Sequence, residues 1–215
     1  MNLGLEGRTA LVLGGTRGLG LACAKALAAE GVRIVVNGRD ESHGRTVAAM
    51  LGDAAFVAGD IGSEAQRAAL IAAVAETAQP DIVVTNAGGP PAGPFEESDA
   101  AMWRRAFETG IAGPLEVVRA FLPSMRARGF GRIINITSFV VKELYPNMSL
   151  SNSVRVGLTG AMGALAREVA ADGITVNGIL PGLMDTGALQ RVIHDRMKRG
   201  GQSEAEVRGA MAAPG

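Results

Sequence analysis

The chain has little of what several classes of protein depend on. Of its 215 residues only Cys23 is a cysteine, so no disulfide can form within it. The chain has 21 lysines and arginines and 21 aspartates and glutamates, so its formal net charge is zero. This balance gives no excess of positive charge for binding nucleic acid or an acidic membrane surface. No apolar run is long enough to span a bilayer, and no signal peptide is indicated. These absences predict a soluble cytoplasmic protein without nucleic-acid or membrane partners.

Histidine is also scarce. His43 and His194 lie on unrelated segments, and no group of further ligands accompanies either of them. A metal centre needs several nitrogen, sulfur or oxygen ligands at suitable spacing. The sequence therefore predicts neither a metal site nor a proton relay through histidine.

Short apolar runs alternate with longer segments of helical pattern. The runs consist mostly of valine, isoleucine, leucine and alanine, which is typical of parallel strands covered on both faces. We expect strands at residues 9–13, 33–37, 54–58, 82–85, 132–137 and 175–180, and helices at 18–29, 41–51, 63–77, 99–128 and 150–171. This alternation predicts a single α/β domain with a Rossmann-type, doubly wound parallel sheet. Ligands of such sheets bind beyond the carboxyl ends of the strands.

A glycine-rich turn follows the first predicted strand. Gly14, Gly18 and Gly20 form the pattern G-x-x-x-G-x-G before an alanine-rich helix. The first glycine permits a tight turn, the second lets the backbone approach a pyrophosphate, and the third lets the helix pack close to the strand. Free N–H groups at the start of the helix bind phosphates. The turn therefore predicts a dinucleotide site with contacts from Gly14, Thr16, Arg17, Gly18, Leu19 and Gly20.

Two arginines decide which dinucleotide is expected. An acidic residue at the end of the second strand would bind the adenosine ribose hydroxyls and favour NAD, but none precedes Asp40 there. Arg39 lies beside that position, and Arg17 lies within the glycine turn. Because two guanidinium groups suit a 2′-phosphate, the sequence favours NADP(H). The alternative is that both arginines are ordinary solvated charges.

These features resemble the short-chain dehydrogenase/reductase family, and most closely its 3-oxoacyl-carrier-protein reductases. The resemblance covers residues 5–186 and rests on several further segments that match in order. The family pair that contacts the adenine is matched by Asp60 and Ile61, and the segment that lines the cofactor is matched by Asn86, Ala87 and Gly88. The catalytic serine is matched by Ser138, and the segment at the nicotinamide end is matched by Pro181, Gly182 and Thr186. The resemblance implies an oxidoreductase that transfers hydride between NADP(H) and a carbonyl or hydroxyl substrate.

The catalytic set of that family is incomplete in this chain. The family uses Asn, Ser, Tyr and Lys, with Tyr and Lys stacked at positions i and i+4 of one helix. Counted from Ser138, these two places hold Ser151 and Arg155, and Gly110 stands in the place of the asparagine. Ser151 has no usable acidity near neutral pH, and a guanidinium does not deprotonate, although Arg155 has donors for the ribose hydroxyls. The expected catalytic residues are therefore Ser138, Ser151 and Arg155, an altered set.

A substitute proton donor is available in the sequence. Tyr145 is the single tyrosine and lies in the loop after Ser138, with Lys142 three residues before it. It either swings into the site as the donor or packs the loop against the next helix. Pro146 follows directly, and we favour the packing role.

Two functions remain open at this point. The first is an NADP(H)-dependent reductase of a carbonyl substrate with altered catalytic residues. The second is a non-catalytic NADP(H)-binding protein that acts as a sensor or partner subunit. The lost Tyr, Lys and Asn favour the second, whereas the intact Ser138 and substrate-loop segments favour the first.

The last part of the chain differs from the family pattern. We expect an NADP-binding domain at residues 1–186 and a mobile substrate-lid segment at residues 187–215, without the last strand of the family. The predicted helices 99–128 and 150–171 carry more small and apolar residues than one core face needs. The family resemblance implies that they pair across a two-fold axis, so we expect a homodimer or homotetramer. The small residues on the second helix include Gly157, Gly160, Ala161 and Ala164.

Overall fold

Six apolar runs form one parallel sheet in the computed structural model, which describes residues 3–212. The strands are β1 (Thr9–Val12), β2 (Arg33–Gly38), β3 (Ala54–Ala58), β4 (Ile82–Asn86), β5 (Gly131–Ile136) and β6 (Ile174–Ile179). Their order is β3-β2-β1-β4-β5-β6, and every neighbouring pair is parallel. Residues 3–212 contain no seventh strand. The predicted Rossmann-type sheet is confirmed, with each strand within one residue of its expected bounds.

The helices that connect these strands cover both faces of the sheet. They are α1 (Gly18–Ala29), α2 (Glu41–Met50), α3 (Glu64–Thr77), α4 (Ala100–Phe107), α5 (Gly113–Arg128) and α6 (Ser149–Glu168). In β1, Ala10 and Val12 belong to the core formed with α1 and α2. Leu11 belongs to the core formed with α3, α5 and α6. Successive strand residues thus point to opposite faces, as the strand period of two requires.

One predicted helix is divided. Instead of one α-helix over residues 99–128, α4 and α5 are separated by a π-helical segment, Glu108–Ala112. Pro114 lies in the first turn of α5 and supplies no backbone N–H, while Gly110 and Gly113 add backbone freedom. Single π turns inside helices occur frequently at functional sites. This turn lies at the place where the family asparagine was expected.

The chain divides into two compact units, Met1–Pro181 and Gly182–Gly215. The second unit contains α7 (Gly187–Gly200) and α8 (Glu204–Ala212), with Ile193 and Val207 buried in it. Ser203 and Glu206 exchange hydrogen bonds at the start of α8, which is a capping box. The predicted boundary after residue 186 and the lid role stay predictions. Within residues 3–212, no helix is both long and apolar enough to span a bilayer.

Candidate cofactor and active site

The glycine turn after β1 is held by a side chain of β4. Gly14 adopts a positive φ of 56°, a conformation that other residues rarely take. The side-chain amide of Asn86 donates to the carbonyl oxygen of Gly14 at 3.1 Å. The N–H of Gly15 donates to the carbonyl of Asn37 at the end of β2, at 3.0 Å. The turn is therefore fixed from both neighbouring strands.

Two glycines of this turn have no room for a side chain. A Cβ atom at Gly14 would lie 2.5 Å from the carbonyl oxygen and 2.9 Å from the amide nitrogen of Asn86. A Cβ atom at Gly20 would meet the carbonyl oxygen of Gly14 and lie 2.7 Å from the same amide nitrogen. Both contacts are with backbone or with the side chain that holds the turn. The sequence predicted a tight turn at Gly14 and close packing of the helix at Gly20, and the geometry agrees with both.

Substitution of these glycines tests the turn as a binding element. We expect Gly14→Ala or Gly20→Ala to weaken dinucleotide binding about tenfold or more, since overpacking of this kind typically costs about 1–3 kcal/mol. The matched control is Gly209→Ala in α8, where an added Cβ meets nothing within 4 Å. Titration calorimetry with each nucleotide measures the affinity. Unchanged binding by the folded Gly14 and Gly20 variants would contradict the assignment of the turn.

The start of α1 is suited to phosphate groups. Arg17 is the N-cap residue, and its side chain makes no capping hydrogen bond. The first N–H groups of the helix therefore point outward without a side-chain acceptor, next to the positive end of the helix dipole. Such a terminus behind a tight glycine turn is a ready-made anion site. The residues present therefore fit the pyrophosphate of a dinucleotide.

The two arginines predicted at the adenosine end each meet a carboxylate. Arg17 Nη2 lies 3.4 Å from Asp40 Oδ2, and Arg39 Nη1 lies 3.9 Å from Asp60 Oδ2. The arginine side chains are 69% and 80% exposed, so these ion pairs contribute little and are easily exchanged. His43 Nε2 donates to the carbonyl of Thr16 at 3.1 Å and ties α2 to the glycine turn. A phosphate here would compete with weakly held carboxylates for Arg17 and Arg39.

Asp60 and Ile61, predicted to lie beside the adenine, are fixed by contacts that the sequence did not indicate. Asp60 Oδ1 accepts from the N–H of Gly62 at 2.9 Å. The carbonyl of Ile61 accepts from Nη1 of Arg67 at 2.6 Å.

Arg67 is a buried cation on α3. Its guanidinium lies 2.7 Å from Glu116 and 3.3 Å from Glu108, the first residue of the π segment. Burial opposes its charged form, but the hydrogen bonds and charges of Glu116 and Glu108 outweigh burial, and the pKa of Arg67 is raised. Arg67 thereby links the predicted adenine contact to the divided helix.

The predicted catalytic serine lies two residues beyond the end of β5. Ser138 Oγ accepts from the N–H of Val140 at 3.4 Å at the start of a short 3-10 turn. Because the oxygen is the acceptor, the hydroxyl hydrogen remains available to a ligand. The backbone N–H of Phe139 donates to the carbonyl of Pro181 at 3.0 Å, which brings the start of the predicted nicotinamide segment beside Ser138.

Ser151 and Arg155 contact each other on α6. Arg155 Nε donates to Ser151 Oγ at 3.2 Å, and Nη1 donates to the carbonyl of Thr137 at 2.6 Å. Ser151 is 4% exposed. Burial lowers the pKa of the Arg155 guanidinium. Through Thr137, the pair is joined to the backbone just after the carboxyl end of β5, one residue before Ser138.

Gly110 faces Val154, the residue directly before Arg155. A Cβ atom at Gly110 would lie 2.8 Å from Cγ2 and 2.9 Å from Cβ of Val154. A cavity of about 20 Å³ adjoins this contact and is large enough for about one water molecule. Its lining includes Ala87, Gly88, Gly89, Gly110, Thr137, Val154 and Arg155. The valine thus occupies the space that a side chain at position 110 would need.

Tyr145 packs on the loop in which it lies. Its ring meets the ring of Phe139 edge-on, with centroids 5.7 Å apart. Its carbonyl accepts from the side-chain amide of Asn152 on α6 at 2.9 Å. These contacts join the loop to the helix, in agreement with the packing role.

Residues 8–197 match the family model of short chain dehydrogenases. The chain belongs to the short-chain dehydrogenase/reductase family. It is 32% identical over 198 residues to a 3-oxoacyl-[acyl-carrier-protein] reductase of Haemophilus influenzae, covering 91% of this chain and 81% of that protein. It is 32% identical over 211 residues to a D-beta-hydroxybutyrate dehydrogenase of Rhizobium meliloti, covering 93% and 80%. A solved structure of actinorhodin polyketide ketoreductase with NADPH has a TM-score of 0.86 and 33% identity, covering 93% of this chain and 79% of the other.

Membership establishes an oxidoreductase family that binds nicotinamide cofactors. Within the first unit, the structure groups most of the residues expected in this short-chain dehydrogenase/reductase site at the carboxyl ends of β1 to β5. Gly182 and Thr186 belong to the second unit, and their contribution stays a prediction. Sequence reasoning missed Asp40, His43 and Val154, whose partners are distant in the chain. A signal for Val154 existed in Gly110, since a glycine inside a helix often marks a close neighbour.

Proposed function

We propose that this short-chain dehydrogenase/reductase reduces a carbonyl substrate with NADPH through an altered catalytic set. The observation that carries the proposal is the glycine turn after β1, which Asn86 and Asn37 hold in place. Ser138 follows β5 at the same edge of the sheet. The names of the two relatives, an oxoacyl reductase and a hydroxybutyrate dehydrogenase, support a carbonyl or hydroxyl compound as substrate.

In the proposed reaction, some residues of the chain bind the cofactor and others polarise the substrate carbonyl. When bound, the cofactor supplies hydride from its nicotinamide ring. Ser138 would donate a hydrogen bond to the substrate carbonyl oxygen and polarise it, assisted by Ser151 or a water that Ser151 orients. Arg155 would contribute positive charge at the nicotinamide end, and its donors would hold the ribose hydroxyls there. Because neither Ser151 nor Arg155 releases a proton readily, the proton for the new hydroxyl comes from water.

Consumption of NADPH over a panel of ketones and oxo acids tests this function. We expect slow turnover, since loss of a general acid typically lowers rates by about two to four powers of ten. Ser138→Ala should abolish the residual activity. Binding of NADPH without turnover of any compound would instead favour the sensor or partner-subunit role.

The nucleotide preference has its own measurement. Arg17 and Arg39 should make NADP(H) bind more tightly than NAD(H), because a 2′-phosphate displaces the weak contacts with Asp40 and Asp60. Changing both arginines to glutamine should remove the preference and leave NAD(H) binding nearly unchanged. The control is Arg33→Gln, an arginine at the other end of β2. Equal affinities of the natural chain for both nucleotides would reject the assignment.

We also propose a homodimer. The outer face of α6 carries exposed small residues, and an added Cβ at Gly160 or Gly163 would meet nothing within 4 Å. Val156 on the same helix is 42% exposed. Such a face permits close helix contact across a two-fold axis.

Light scattering should give at least twice the monomer mass at micromolar concentration. Gly160→Glu should lower the measured mass, because a charged side chain would lie on the face that contacts the second copy. A folded natural chain with the monomer mass would contradict the dimer.

A further inference from the structure

Arg155 is a partly enclosed cation whose hydrogen-bond partners are all neutral. Nε and Nη1 donate to the Ser151 hydroxyl and the Thr137 carbonyl. No aspartate or glutamate within residues 3–212 forms an ion pair with it. Withdrawing a positive charge from water without an anion is unfavourable.

The chain treats its other enclosed arginine differently. Arg67 has Glu108 and Glu116 within hydrogen-bond distance. The guanidinium of Arg67 is therefore compensated by carboxylates of the chain itself. No carboxylate of residues 3–212 provides this compensation at Arg155, which leaves its charge available to an anionic ligand.

The remaining nitrogen of Arg155 is positioned for such an anion. Nη2 has no acceptor among residues 3–212, and a Cβ built on Gly89 would lie only 3.3 Å from it. Glycine at position 89 therefore keeps this nitrogen unshielded. Arg155 and Gly89 both line the small cavity, together with Thr137. A guanidinium offers planar, charged donors that suit a carboxylate oxygen.

We propose that Arg155 binds a carboxylate of the substrate, so that the site takes free oxo acids rather than carrier-bound thioesters. The inference rests on the proposed reductase function and names its substrate class. Nη2 has two N–H groups, so that one donates to the carboxylate while the other serves a ribose hydroxyl. The carboxylate supplies the negative charge that the neutral partners of Arg155 lack.

Two probes of similar size isolate the charge. Acetoacetate and its methyl ester are titrated calorimetrically into the natural chain, without nucleotide and with saturating NADP+. With oxidised nucleotide neither probe can be reduced. We expect acetoacetate to bind about tenfold or more tightly than the ester, as charge-assisted hydrogen bonds predict. Arg155→Met should abolish the difference, and Arg155→Lys should keep part of it.

The matched control is Arg33→Met, which removes an exposed arginine paired with Asp53 and should keep the full preference. Circular dichroism checks that each variant is folded, and Arg155→Gln replaces the methionine variant if that one does not fold. Equal binding of both probes, no binding of either, or a preference that survives loss of the Arg155 charge would overturn the inference. NADP(H) binding is measured separately, so failure of the cofactor assignment appears as loss of nucleotide binding, while the probes are still compared on the nucleotide-free protein.

Discussion

A fourfold variant, Gly110→Asn, Ser151→Tyr, Val154→Ala and Arg155→Lys, is expected to reduce a simple ketone about two to four powers of ten faster than the natural chain. Tyrosine and lysine at positions 151 and 155 would stack on one face of α6, because residues i and i+4 of a helix are neighbours. The tyrosine at position 151 would then donate the proton that Ser151 of the natural chain cannot donate. The measurement is the initial rate of NADPH oxidation at saturating ketone.

The fourth substitution follows from the packing of the divided helix. Any side chain at position 110 would lie within 3 Å of Val154, so the asparagine needs the valine to be shortened. The control is the threefold variant that keeps Val154, which we expect to have a lower thermal midpoint and to gain less activity. Ser138→Ala in the fourfold background should remove the gain. A folded, nucleotide-binding fourfold variant with no faster reduction would show that positions 151 and 155 are not the tyrosine and lysine places.

Arg67→Met is expected to lower the free energy of unfolding by about 2–3 kcal/mol. Methionine keeps the apolar stem but leaves Glu108 and Glu116 close together without their cation, and the carbonyl of Ile61 without its donor. Breaking a fully buried ion pair typically costs about 3–5 kcal/mol. The loss of stability expected for Arg67→Met is smaller, because the side chains of Glu108 and Glu116 are 41% and 40% exposed and remain partly solvated. Urea denaturation measures the change.

An exposed ion pair provides the comparison. Arg45 and Glu41 are 2.7 Å apart on α2, with side chains 73% and 62% exposed. Arg45→Met should therefore change stability by less than about 0.5 kcal/mol. Similar small losses for both variants would mean that the Arg67 cluster does not stabilise the fold. A change in the denaturant slope of the Arg67 variant would point to an altered unfolded or partly folded state instead.

The sheet was predictable because its strands are buried on both faces. In β2, for example, Ile34, Val35 and Val36 are buried in succession, and they leave a continuous apolar signal in the sequence. The start of α1 was predictable as well, because Gly18 carries the positive φ that ends the turn. In both cases the cause of the structure lies within the segment itself.

Contacts between residues from different segments of the chain shape the candidate site. The π turn depends on local hydrogen-bond register near Gly110, which hydrophobic spacing does not resolve. The pairing of Arg17 with Asp40 and the contact of Gly110 with Val154 join positions that are distant in the chain. A single sequence shows each residue but not its partner. The sequence therefore predicts residue types for the candidate site, whereas the contacts that orient them could not be predicted from it.

The amide of Asn86 also constrains when the chain acquires its nucleotide site during folding. It holds the carbonyl of Gly14 across a separation of 72 residues, and β1 pairs directly with β4 as well as with β2. Contacts of such long separation require closure of a large loop and form slowly. A nascent chain that ends before β4 contains every glycine of the turn but lacks the side chain that holds it. Capture of the dinucleotide would accordingly mark completion of the central strand pairing, rather than guide the early steps of folding.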